Sequence, residues 1–270
     1  MRTLVHLSDL HFGRIDYALL KPLVTQLEQI SPDLIAVSGD LTQRAREREF
    51  REARAFLDSL PFPQIVVPGN HDVPLHNVYA RFAQPLHLFQ RHITANLDPY
   101  YEDLEMAVAG VNTARGLTFK NGRINLRQVE RLIEWLRSRS GALIRIVVTH
   151  HPFDLPQDYG NTHLVGRARM AMERLATSGA DVFLAGHMHL SYSGRTAARY
   201  KIQGYAALVI QAGTATSTRG RGEFNSFNVL RVDRPHITVE RYSWQRSTGH
   251  FAISGTDSFV HTAEGWRDRE

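Results

Sequence analysis

The chain has 270 residues, of which 43% are hydrophobic and 22% charged; that is enough for one large α/β domain or two small ones with a sizeable core. It contains no cysteine, which excludes disulfides, thiolate metal sites and cysteine nucleophiles. The 32 Lys and Arg against 27 Asp and Glu leave a net charge of +5, a mild excess that suits an anionic substrate without requiring a nucleic acid.

Leu4 to Leu7 is a short apolar run and reads as a strand. No signal-peptide core follows Met1-Arg2, and no later run approaches the roughly 20 apolar residues that span a bilayer, so a cytoplasmic protein without a membrane segment is expected. Leu19, Leu20, Leu23, Leu27 and Ile30 have helical spacing. Residues 33–37 read as a buried strand, residues 47–60 as a helix and residues 64–67 as a third strand. From Arg44 to Arg54 the charges alternate in sign, as on a solvated helix face laced with i,i+4 pairs. Strand, helix, strand, helix, strand implies a parallel sheet with helices on its face.

Residues 76–105 break this rhythm and read as an irregular or short-helical insertion. Met106 to Val111 returns to strand. Asn125 and Gln128 form a capping-box pattern ahead of a helix with the apolar stripe Val129, Leu132, Ile133 and Leu136. A strand over 143–148, a helix over 168–177 and a strand over 181–184 follow. After residue 190 the pattern turns to strands, at 192–196, 199–203, 206–211, 227–232 and 237–242. The tail from Gly255 is polar and is expected to be loosely held. With no internal repeat or linker, a single domain over 1–270 is the simplest organisation.

Chemistry gathers at the strand ends. The first strand leads into Asp9-Leu10-His11, the second into Gly39-Asp40 and the third into Gly69-Asn70-His71-Asp72. Later strands lead into His150-His151-Pro152 and Gly186-His187-Met188-His189. Ligands of open α/β sheets bind at the carboxyl ends of strands. Carboxylate and imidazole together favour Mn, Fe, Zn, Co or Ni over Ca or Cu(I). Any one of these motifs is weak, but five in order form a metal-site pattern.

These five blocks resemble the signature of the calcineurin-like metallophosphoesterase superfamily. The resemblance implies an α/β fold of two packed mixed β-sheets flanked by helices, a four-layer αββα sandwich. It also implies two divalent metal ions bridged by hydroxide. Carried over position by position, Asp9, His11 and His189 hold one metal. Asn70, His150 and His187 hold the other, and Asp40 bridges them. His150 is preferred to His151 because the family ligand stands two positions before Pro. His71 matches the family's non-ligand histidine near the leaving group, and Asp72 orients His71 or braces its loop. The implied reaction is hydrolysis of a phosphate ester, with the cations clamping the phosphate and His71 protonating the leaving oxygen.

The order of blocks is similar to that of class III cyclic-nucleotide phosphodiesterases, as is the helix carrying Gln128 and Trp135-Leu136. A phosphodiester substrate is therefore expected. A diphosphate hydrolase of lipid A type ranks lower, because it would carry Arg where His71 stands. A nuclease of the double-strand-break repair type is not favoured, because it would be expected to carry additional DNA-binding or coiled-coil segments, and a degenerate member that only binds a ligand or partner would not need the full ligand set. The departure from the small cyclic-nucleotide enzymes is the aromatic-rich stretch over 73–105, with Tyr79, Phe82, Phe89, His76, His87 and His92. It reads as a helical cap beside the metals, as a homodimer contact through Phe82, Leu86, Leu88, Phe89 and Ile93, or as a structural cap alone. The loop with Thr214, Arg219, Arg221 and Glu223 is a candidate phosphate-binding loop or plain surface.

Overall fold

The computed structural model describes residues 1–75, 77–196, 199–218 and 224–269. Three strands predicted from the N-terminal pattern pair in parallel: β1 (Arg2–Leu7), β2 (Leu34–Val37) and β3 (Gln64–Val66). The helices between them are α1 (Leu20–Ile30), entered through a 3-10 turn at Tyr17–Leu19, and α2 (Glu47–Asp58). In α2 the apolar stripe Phe50, Ala53, Phe56 and Leu57 is buried. Its charged face pairs Arg48 with Glu52 and Arg51 with Glu47, each at 2.7 Å. Such exposed pairs add little stability; they keep the outer face wet.

β1 is not an edge strand. On its other side it pairs antiparallel with β10 (Ser226–Asp233), which continues through β11 (His236–Gln245), β12 (His250–Thr262) and β13 (Gly265–Asp268). The second sheet runs in the order β4 (Tyr100–Glu102), β5 (Met106–Gly110), β6 (Ile144–Val148), β7 (Val182–Ala185), β9 (Leu208–Gln211), β8 (Tyr192–Arg195). Helices α5 (Leu126–Arg137) and α6 (Ala168–Leu175) cover it, and the Asn125–Gln128 capping box caps α5 as its sequence predicts. No helix of the described residues is long and apolar enough to cross a membrane.

Side-chain alternation sorts the core into three layers. Leu4, Ala36, Val108, Ile146, Leu184 and Leu230 meet between the sheets. Val5, Leu7, Ile35 and Val37 face α1 and α2 on one outside. Ala109, Val147 and Phe183 face α5 and α6 on the other. The result is two mixed sheets between helical layers, as the family resemblance implies.

Three local expectations need correction. Among the described residues, Arg199 to Gln203 forms no strand. Arg199 is instead drawn to Asp154 Oδ1 at 2.5 Å and to the carbonyl of Tyr159, and the Tyr200 hydroxyl donates to Phe153 O. The tail from Gly255 is not loose: it completes β12 and forms β13, and Trp266 is buried and donates from Nε1 to Asp181 Oδ1 at 3.0 Å. Within the insertion, α3 (Val78–Ala83) and α4 (His87–His92) form, and Leu86 and Phe89 are core residues against α2 rather than surface apolar groups. His76 lies outside the described residues.

Candidate metal centre

Backbone geometry brings the strand-end residues together. The turn after β1 pairs with the turn after β2, through Asp9 N to Gly39 O and His11 N to Asp40 O. Asp9, His11, Asp40, His187 and His189 all have positive φ, between 52° and 72°. Non-glycine residues rarely adopt this conformation, and such strain concentrates at functional sites. Gly69 is required by close approach: a Cβ there would strike the Asp40 carboxylate and its backbone nitrogen.

Asp9 Oδ1 lies 3.1 Å from His189 Nε2 and 3.5 Å from His11 Nε2, and those two nitrogens are 3.2 Å apart. Asp40 Oδ2 faces the same group, 3.8 Å from His11 Nε2. Its other oxygen, Oδ1, faces a second group, 3.4 Å from His150 Nε2. That nitrogen is 3.1 Å from Asn70 Oδ1 and 3.3 Å from His187 Nδ1. The seven residues singled out from the sequence therefore form one cluster with Asp40 between its halves, six of them buried and Asn70 half-buried.

The ring orientations are set from behind. His150 Nδ1 is 2.7 Å from Ser38 O, so it donates and presents Nε2 to the cluster. His11 Nδ1 faces Thr42 O in the same way. Backbone carbonyls commonly fix metal-binding imidazoles like this. Asp9 Oδ2 accepts from Ser8 Oγ and from His187 N, while Oδ1 is buried with no hydrogen bond of ordinary geometry among the described residues. A buried carboxylate oxygen surrounded by imidazole nitrogens calls for a cation, so the donor set fits divalent metal.

The electrostatics agree. Burial opposes ionisation of Asp9 and Asp40, but the surrounding histidines outweigh it and hold both carboxyls well below their usual range. Burial pushes the His150 imidazole down, and the Asp40 carboxylate overrides this and lifts it to about 9. Burial, reinforced by His150, lowers His187 to about 3. A divalent cation held by these residues would take the place of the proton on His150.

His71 lines the cleft beside the cluster with its Nδ1 2.9 Å from Gln43 O, and its backbone N–H donates to Asp40 Oδ1 at 2.8 Å. Asp72 is fully buried and accepts from the backbone N–H groups of Gly69, Leu41 and Thr42 and from Thr42 Oγ1. These bonds tie the Gly69–Asp72 turn to the turn after β2.

Several supporting residues carry no motif. His151, set aside in favour of His150, is buried against it and forms a group of metal-compatible atoms with His150 and His187. Its Nδ1 is tied to Thr113 Oγ1 at 2.8 Å. Thr214 Oγ1 donates to Asp9 O, so the described start of the 214–225 loop serves the backbone of the cluster; Arg219, Arg221 and Glu223 lie outside the described residues. A cleft of about 250 Å³ opens over Asp40, Asn70, His187 and His189, walled by Leu75, Arg81, Phe119 and Lys120. Arg81 lies in the insertion, and Phe119-Lys120 in a loop the sequence pattern does not mark.

A profile of calcineurin-like phosphoesterases matches residues 2–191. A segment of 80 residues is 35% identical to the glycerophosphodiester phosphodiesterase GpdQ of Enterobacter lignolyticus, covering 26% of this chain and 29% of that protein. A probable cyclic nucleotide phosphodiesterase of Vesicomyosocius okutanii is 23% identical over 157 residues, 56% of this chain and 61% of that one. The chain thus spans less than two thirds of either relative. In fold, it is similar to a dimetal phosphatase from Danio rerio, with a TM-score of 0.70 at 12% identity over 97% of this chain and 99% of the other. It is likewise similar to a purple acid phosphatase from yellow lupin, with a TM-score of 0.68 at 13% identity over 94% and 53%.

Proposed function

We propose a function from one premise: the chain belongs to the calcineurin-like phosphoesterase family. It is a metal-dependent phosphoesterase with buried His and Asp metal-binding groups. Our reading goes further, to hydrolysis of a phosphodiester at a two-metal site. Asp9, His11 and His189 would hold one cation, Asn70, His150 and His187 the other, and Asp40 both. The observation that carries this is Asp40, whose Oδ2 and Oδ1 face two separate histidine groups. When bound, such a pair of cations supplies an activated water and neutralises phosphate charge.

The chain's own residues account for the remainder. Asp72 locks the Gly69–Asp72 turn to the turn after β2, which fixes Asn70 and His71 in place. Gln43 O holds the His71 ring through Nδ1, so Nε2 is the nitrogen through which the ring can protonate a leaving oxygen. The diester preference is supported by the names of the relatives above, glycerophosphodiester and cyclic nucleotide phosphodiesterases.

Elemental analysis of protein loaded with Mn, Fe, Zn or Co, followed by turnover of a diester panel, tests the reading. The panel includes cyclic nucleotides, glycerophosphodiesters and bis(4-nitrophenyl) phosphate. Two metal equivalents and diester turnover are expected, and Asp40→Ala should lose both equivalents. Full occupancy at either site in that variant would overturn bridging, and turnover confined to monoesters would overturn the diester assignment.

A further inference from the structure

The part of the cleft wall formed by Arg81, Phe119 and Lys120 has a construction of its own. Arg81, on α3, is only 3% exposed. Its Nη1 donates to Pro74 O and its Nη2 to Thr118 O, both at 3.0 Å. One guanidinium thus staples the insertion to the loop carrying Phe119 and Lys120. The Phe119 ring stacks over that guanidinium, 4.1 Å from Cζ to centroid. Phe119 nonetheless remains 64% exposed and lines the cleft.

An exposed phenylalanine ordinarily has no reason to be fixed. Here one face rests on a buried cation, which holds the ring by cation–π attraction. The adjoining residue, Lys120, lines the same cleft. Two consecutive residues therefore offer an aromatic surface and a positive charge to the cleft that also exposes Asp40, Asn70, His187 and His189. The complementary ligand is a planar ring joined to a phosphate.

Resting on the phosphoesterase reading above, we infer that Phe119, positioned by Arg81, is an aromatic platform that selects phosphate esters bearing a planar group over those bearing an aliphatic one. Arg81 acts through Phe119 and is a positioning residue. The cleft then discriminates by stacking, with Lys120 adding attraction for the anion that both ligand classes share.

Equilibrium binding separates this from turnover. The affinities of 2-naphthyl phosphate and glycerol 3-phosphate are measured by calorimetry on the full chain, metal-loaded. The wild type is expected to favour the aryl ester by about tenfold, the size of one stacked ring. Phe119→Ala should erase that preference, and Phe119→Trp should restore it. Arg81→Lys keeps a charge but cannot bridge Pro74 and Thr118 with a planar fork; it should lose the preference while metal content stays near wild type, at some cost in thermal midpoint. Should Arg81→Lys fail to fold, the two Phe119 variants decide alone. Equal wild-type affinities, or a preference that survives Phe119→Ala, would overturn the inference. A persisting aryl preference in a protein that cleaves no diester would uphold the platform and instead remove the proposed diesterase activity.

Discussion

Asn70, His71 and Asp72 are consecutive polar residues with three different environments. Asn70 faces His150, His71 lines the cleft, and Asp72 is buried in backbone hydrogen bonds. The Gly-Asn-His-Asp motif marks the turn as chemical, but its letters do not divide the labour. That division depends on which carbonyl or amide each side chain meets. The carbonyls of Ser38, Thr42 and Gln43 set three imidazole rings, and every residue has a carbonyl, so composition cannot reveal them. The positive φ at five cluster residues is equally silent in sequence, because none of the five is glycine. At this scale the prediction is His71→Ala: metal content should stay at the wild-type level while turnover of an alkyl diester falls on the order of 10²–10⁴-fold. The loss should shrink for a nitrophenyl diester, whose leaving group needs no proton. Steady-state kinetics on the two substrates reads this directly, and equal losses would point to a binding role instead.

Elements were legible wherever their signals were local. The α5 cap, the apolar stripe of α2 and the buried run of β2 each follow from a few adjacent residues. The last two strands were not, because only two of the thirteen residues of β12 are buried and its polar letters imitate a loose tail. What secures that hairpin is distant: Trp266 packs between the sheets and donates to Asp181, which sits at the start of the chain segment leading into β7. Burial pushes the Asp181 carboxyl up, and the indole N–H and Arg145 N–H offset part of that cost. Trp266→Phe keeps most of the packing and removes one donor. We expect it to lower unfolding stability by about 1–3 kcal/mol, the cost of leaving a buried acceptor unmet. A urea titration measures this, with metal stoichiometry unchanged. A midpoint equal to wild type would show that the indole contributes packing only.

At the scale of the whole molecule, the gathering of Asp, Asn and His at one edge of two sheets follows from strand-end placement, a property of order along the chain. The pairing of β1 with β10 does not follow from order, since it joins residues more than two hundred positions apart, as in Arg2 with Val232. The same distance is bridged at the cluster itself, where Ala215 N donates to Ser8 O, Thr214 Oγ1 to Asp9 O and Thr216 Oγ1 to Leu10 O. On the ribosome, the residues of β1 therefore wait for a strand made more than two hundred positions later. Asp9 and His11 leave the exit tunnel early, yet the strand and the threonines that clamp their turn come only after every proposed ligand has been made. Contacts of such separation form slowly and leave the nascent edge of β1 open to wrong partners meanwhile. A chain stopped after His189-Leu190-Ser191 would hold all seven donors and still lack β10, the antiparallel neighbour of β1. We expect that fragment to bind no stoichiometric metal by elemental analysis and to enrich in the aggregated fraction; two bound equivalents in a soluble 1–191 fragment would show that the late strands finish the enzyme without building its centre.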